Sequence, residues 1–288
     1  MRLHELLHML YKNVYYYAMS ETLEFYKLRN NVKIIGEGTE VLMFGHGFGC
    51  DLNTWRMITP AFERKFKVVL FDYVGSGNSD LSAYDDQRYG SLDGYAQDII
   101  EICKAFKLKD VTFIGHSVSS MTGLLAVNLM PEVFRKIVFI GPSPRYLNDT
   151  GYPGGLERAE LEELLEIMDS NYLGWSSTMA GHIMGNPDRP ELADGLSRSF
   201  CSADPTIAKK FARVTFLSDN RNDLPKLKIP SLTIQCKEDF LTNDTIASYI
   251  QDVTPGNRIS FLDSAGHCPH LSDPQGVISA ITSFLKNE

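Results

Sequence analysis

Seven short apolar runs punctuate the chain, at 30–35 (NNVKII), 40–45 (EVLMFG), 67–73 (KVVLFDY), 110–115 (DVTFIG), 136–141 (KIVFIG), 231–236 (SLTIQC) and 258–263 (RISFLD). From residue 41 onward these runs are nearly continuous and lack strict alternation. That pattern predicts strands buried on both faces, as in a parallel sheet covered by helices. Amphipathic stretches lie between them. SLDGYAQDIIEICKAF (91–106) predicts a helix with Ser91 as N-cap and with Tyr95, Ile99, Ile102 and Phe106 on one side. DTIASYIQDV and PQGVISAITSFL predict two more helices late in the chain. Repeated strand–helix–strand units predict a doubly wound open α/β sheet.

One region breaks the rhythm. Residues 142–218 contain no good strand, while LERAELEELLEIMDSNYLGWSSTMAGHIMG and TIAKKFARVTFL read as helical, separated by NPDRP and SADP. Helices inserted between two strands predict a cap over the carboxyl edge of the sheet, where open α/β folds bind ligands. The core then comprises 19–141 and 219–288. Residues 1–18 precede Met19, which opens a stretch that reads like a natural beginning, and they are expected to be a non-essential extension. Their apolar character is interrupted by His4, Glu5, His8, Lys12 and Asn13, with no small-residue cleavage site, so they do not read as a signal peptide.

Composition narrows the function classes. A net charge of −8 is unsuited to nucleic acid or an anionic membrane surface. No apolar run approaches the roughly 20 residues of a membrane span. The five cysteines are scattered and never form a CxxC pair, which predicts reduced thiols and a cytoplasmic location.

The candidate chemistry starts at GHSVS (115–119). It lies between a predicted strand and a predicted helix, the context of a nucleophile elbow. There Ser117 is held in a strained turn, with small residues two places to either side, at a helix N-terminus that favours negative charge. The pattern usually ends in glycine; here it ends in Ser119. A hydroxyl is a weak nucleophile and needs a base. His267, on the loop after the last strand, is the expected base, whereas His270 and His46 are expected to be structural and His116 to point away. Among Glu238, Asp239 and Asp244, the expected acid is Asp239; Glu238 should face outward and Asp244 should cap a helix. The order Ser117, Asp239, His267 matches the α/β-hydrolase triad order. The glycine-rich stretch FGHGFGCD (44–51) follows another strand, so the backbone N–H groups of Phe48 and Val118 are expected to form an oxyanion hole. The loop DYVGSGNSD lacks the third glycine of a dinucleotide fingerprint, and no cofactor is expected. Cys268 and His270 in HCPH have no second ligand pair within sequence reach, and no metal is expected.

The segments HGFGCD, FDYVGSGNSD, GHSVSSM, GPSPRYLND, NYLGW, CSADP and GHCPHLSDP together resemble one α/β-hydrolase subgroup over nearly all of 20–288. That subgroup contains the bacterial stress regulator RsbQ and the plant karrikin and strigolactone receptors, and the resemblance is closest to RsbQ. Motif by motif, the family's serine, acid and histidine fall on Ser117, Asp239 and His267, and its oxyanion-hole backbone on Phe48 and Val118. The resemblance implies a four-helix V-shaped cap over a mostly apolar pocket. It also implies hydrolysis of a small apolar ester or lactone, coupled to activation of the general stress (sigma-B) response through a PAS-domain PP2C-type phosphatase. A stand-alone carboxylesterase is the alternative, and a binding protein without chemistry has no use for an ordered triad. Tyr172, Trp175, Met179 and Met184 are candidates for the pocket wall, although ordinary helix packing explains them equally well.

Overall fold

The computed structural model describes residues 22–286; the predicted N-terminal extension, 1–18, lies outside the described residues. Seven strands form one sheet: β1 (Lys33–Ile35), β2 (Glu40–Gly45), β3 (Phe66–Leu70), β4 (Val111–His116), β5 (Phe134–Ile140), β6 (Ser231–Glu238) and β7 (Asn257–Ala265). Their spatial order is β1-β3-β2-β4-β5-β6-β7. Only β1 runs antiparallel, against β3. Each predicted run overlaps one of these strands, with ends displaced by up to three residues.

The unbroken apolar runs follow from burial on both faces. Met43, Val69, Phe113, Ile137 and Phe139 join a core with helices α2 (Leu92–Ala105) and α3 (Val118–Leu129). Their neighbours Leu42, Phe44, Val68, Ile114, Val138 and Ile140 join the opposite core with α10 (Pro274–Lys286). Adjacent strand residues point to opposite faces, so every position must be apolar when both faces are dry. Ser91 caps α2 by accepting from the Asp93 N–H, and Tyr95, Ile99 and Ile102 are fully buried.

A helix at 22–29, α1, precedes the sheet. Four helices separate β5 from β6: α4 (Arg158–Ser170), α5 (Tyr172–Met184), α6 (Pro190–Ser202) and α7 (Pro205–Phe216). The long helical stretch in the sequence divides into α4 and α5 at Asn171, whose side chain accepts from the Gly174 N–H and so starts a new helix. These helices have an apolar core of their own, including Leu161, Met168, Trp175, Phe200 and Phe216. After β6 come α8 (Asp244–Val253) and, beyond β7, the short α9 (Pro269–Ser272). Asp244 is not the cap of α8. Asn243 is, accepting from the N–H groups of Thr245 and Ile246, which leaves Asp244 as the first helical residue. No helix among the described residues is long and apolar enough to cross a membrane.

Candidate active site

Ser117 follows β4 directly and precedes the first residue of α3. Its backbone sits at φ 55°, ψ −122°, a conformation that costs a non-glycine residue about 1–3 kcal/mol. The surroundings hold it there: the Ser117 N–H donates to the Ile140 carbonyl at 2.8 Å. The turn is so tight that a Cβ on Gly115 would stand 2.4 Å from the Ser119 carbonyl oxygen.

Three chain segments then meet. The Ser117 hydroxyl donates to His267 Nε2 across 2.8 Å. The other ring nitrogen, Nδ1, donates to Asp239 Oδ2 at 2.8 Å. Asp239 stands one residue past β6 and His267 two past β7, so the parallel strands bring both to the same carboxyl edge as the end of β4. Asp239 also accepts from the Leu241 and Thr242 N–H groups and from the Thr242 hydroxyl. Burial pushes its carboxyl up, but the His267 ring and those donors outweigh burial and hold it below the usual carboxylate range. Glu238 is exposed. Gly141, at φ 56°, lies against the pair; a Cβ there would sit 3.1 Å from His267 Cε1.

The base is also tied to the inserted helices. The His267 N–H donates to the Ile183 carbonyl in the last turn of α5 at 2.7 Å. Asn186 Nδ2 donates to the Ala265 carbonyl and Arg189 Nη1 to the Ser272 carbonyl, both at 3.0 Å.

Beneath the base lies a buried cluster. His116, Cys268 and His270 each offer a ligating atom within 4.8 Å of the others. Sequence spacing alone did not bring His116 to the HCPH pair. His116 Nε2–H donates to the His267 carbonyl at 2.8 Å, and His270 Nε2 pairs with the Thr54 hydroxyl at 2.8 Å. Burial lowers the His116 imidazole to about 3, with the His267 charge acting the same way, and lowers that of His270 well below its ordinary value. It raises the Cys268 thiol, so a metal there would first have to displace the thiol proton.

These imidazoles make stability pH-dependent. Each is neutral when folded but takes up a proton in the unfolded chain below about pH 6.5. Stability is therefore full at neutral pH and falls as pH drops through that value, for His116 down to about 3. The expected slope is about 1.4 kcal/mol per pH unit for each such histidine. In urea unfolding between pH 6 and 4.5, His116→Gln should flatten the curve by that amount. An unchanged slope would mean His116 is not held neutral.

Ser117 is only 6% exposed and opens on a cavity of about 150 Å³. Its wall combines Phe48, Ser117, Tyr146 and His267 with Trp175, Met179, Ile183, Leu196, Phe200 and Phe216 from the inserted helices. Of the four sequence candidates, Trp175 and Met179 line this cavity. Tyr172 and Met184 do not: Tyr172 stacks on Trp175 and donates to the Phe200 carbonyl, and Met184 is buried in the packing behind. Residues 175, 179 and 183 recur at four-residue spacing and so share the face of α5 that is turned to the cavity. Tyr146, which the sequence did not single out, stands beside the nucleophile. Burial pushes its phenol up to about 12, with the Ser117 hydroxyl acting in the opposite sense. Phe48 lies on the cavity wall, and its backbone N–H has no acceptor among the described residues. The Val118 N–H, at the first helical position, is one of the orphan donors of α3. The DYVGSGNSD loop is held by structural hydrogen bonds within itself and to neighbouring segments. Asp72 accepts from the Leu52 and Asn78 N–H groups, and a Cβ on Gly77 would meet its carboxylate at 2.3 Å.

Comparison with known proteins extends the picture. The family model described as "Alpha/beta hydrolase family" matches residues 41–280. The karrikin insensitive 2 receptor CA of Petunia hybrida is 35% identical over 260 residues, covering 90% of this chain and 96% of that protein. Strigolactone esterase D14 of Arabidopsis thaliana is 35% identical over 257 residues, covering 89% and 94%. A solved hydrolase structure from Oleispira antarctica superposes with a TM-score of 0.90 at 40% identity, covering 92% of this chain and 98% of that one.

Proposed function

Because this chain belongs to the alpha/beta hydrolase family, we propose that it cleaves small apolar esters or lactones by covalent catalysis at Ser117. Ser117 Oγ attacks the carbonyl carbon while His267 Nε2 takes its proton. Asp239 holds the ring in the tautomer that leaves Nε2 free and stabilises the imidazolium. The oxyanion of the tetrahedral intermediate accepts from the Phe48 and Val118 N–H groups. Collapse breaks the bond to the leaving oxygen, which receives the proton from Nε2. Water, deprotonated by the same nitrogen, then attacks the acyl carbonyl, and Ser117 regains its proton as the acid leaves.

The observation that carries this reading is the unbroken hydrogen-bond line from Asp239 through His267 to Ser117, ending in a mostly apolar cavity. Cavity size bounds the substrate: a mostly apolar space of about 150 Å³ matches one benzene-sized group, so a short acyl chain or a single lactone ring fits as the protein stands. The name of one relative, a strigolactone esterase, favours ester cleavage.

The finer reading attaches this chemistry to signalling, as a positive regulator of the general stress (sigma-B) response acting with a PAS-domain PP2C-type phosphatase. It rests on the resemblance of the motif segments to the RsbQ subgroup. A stand-alone metabolic carboxylesterase is the alternative. The test offers p-nitrophenyl acetate and butyrate and a simple γ-lactone, with mass spectrometry of the Ser117 peptide. We expect turnover with an acyl adduct on that peptide; a folded protein that gives neither refutes the hydrolase reading. Slow turnover, a lasting adduct and co-purification of such a phosphatase support the regulatory role. Rapid turnover of many esters with no partner supports the alternative.

A further inference from the structure

The elbow ends in a serine where the pattern usually has glycine, and that serine is part of a directed hydrogen-bond chain. Ser119 Oγ lies 2.5 Å from the His46 carbonyl oxygen. A carbonyl only accepts, so the single hydroxyl proton of Ser119 is committed there. The Tyr73 hydroxyl, 2.8 Å away, must then donate to Ser119 Oγ, and the Thr122 hydroxyl, 2.6 Å from it, donates to Tyr73. Burial pushes the Tyr73 phenol up, so it keeps the proton this requires. All four groups are buried.

The chain ends on the loop that carries Phe48. The Tyr73 N–H donates to His46 Nε2 at 3.2 Å, which leaves the ring proton on Nδ1, and Nδ1 donates to the Gly47 carbonyl at 2.8 Å. Two consecutive peptide planes are therefore held, the 46–47 plane by Ser119 and the 47–48 plane by the His46 ring. In a trans peptide the N–H points opposite to the carbonyl, so fixing the Gly47 oxygen fixes the direction of the Phe48 N–H. The loop lies next to the nucleophile: a Cβ on Gly47 would stand 3.4 Å from Ser117 Cβ. Gly45 allows the approach, because a Cβ there would be 2.9 Å from Ser119 Oγ.

We propose that Ser119 is a positioning residue that aims the Phe48 N–H at the developing oxyanion by anchoring the His46 carbonyl to the nucleophile helix. The proposal rests on the hydrolase reading above and deepens it. Without the hydroxyl, the 46–47 peptide swings free and Tyr73 loses its acceptor. Stabilisation made only in the transition state appears in kcat, not KM.

The test compares wild type with Ser119→Ala and Ser119→Gly, the latter restoring the residue the pattern usually has. Each is assayed for p-nitrophenyl acetate kinetics and for inhibition by butylboronic acid, whose adduct with Ser117 places an oxygen in the oxyanion position. Removing an oxyanion donor outright costs about 10²–10³ in rate; loosening one is expected to cost about tenfold in kcat. KM should stay within about twofold and the boronic acid inhibition constant should rise about tenfold. Tyr73→Phe keeps the Ser119 bond to His46 and should cost less than either. If one Ser119 variant fails to fold, the other carries the test. A folded variant with wild-type kcat and boronic acid affinity, or a loss confined to KM, overturns the proposal. Wild-type protein inert to both ester and boronic acid defeats the hydrolase reading itself, which is a different result.

Discussion

Ser117→Ala is expected to abolish ester hydrolysis and covalent labelling by a sulfonyl fluoride, with kcat down by a factor on the order of 10⁶, the scale set by losing the nucleophile of a serine triad. The size of the effect follows from what else faces the cavity. Cys50 and Cys268 also line it, and both are potential nucleophiles. Burial pushes the Cys50 thiol up to about 12, and the Cys268 thiol well above its ordinary value. A protonated thiol is a poor nucleophile at neutral pH, so neither replaces the lost hydroxyl. His267 keeps its place without Ser117, because Asp239 and the Ile183 carbonyl hold it. The variant should therefore still fold and still bind ligand. Intact-protein mass spectrometry decides the matter: a sulfonyl adduct on Ser117→Ala would show that another group reacts.

Asp239→Asn is expected to lower kcat by about 10⁴ while leaving the fold intact. The reason lies in which donors surround the carboxylate. Oδ1 accepts from the Leu241 and Thr242 N–H groups, so the oxygen of a substituted amide stays on that side. Its NH₂ group then takes the place of Oδ2, 2.8 Å from His267 Nδ1, and donates where the carboxylate accepted. The imidazole proton is forced onto Nε2, which can no longer take the proton of Ser117. Steady-state kinetics beside Glu238→Gln separates this from a general charge effect. Glu238 is exposed and its change should leave kcat near wild type. If Glu238→Gln shows the large loss and Asp239→Asn does not, the acid is misassigned.

The sequence made the scaffold legible because strand formation leaves a local trace. VVLF is apolar at every position since both its faces are buried, and no distant information is needed to see it. The chain order of Ser117, Asp239 and His267 was also readable, since each follows a strand. The cavity wall was not. Tyr172 and Met184 are as apolar as Trp175 and Met179, and only the rotation of α5 against the core decides which face the space. Tyr146 comes from an irregular segment with no periodicity to mark it. The contact of His116 with the His267 carbonyl spans 151 positions of chain, and nothing local encodes it. Asn243 rather than Asp244 caps α8 because both side chains suit the position and the turn geometry selects one.

The amide of His267 hangs from the final turn of α5, while the same helix supplies Trp175, Met179 and Ile183 to the chamber. Displacing that helix would therefore disturb the chamber wall and the backbone anchor of His267 together, so a substitution that shifts one is felt by the other.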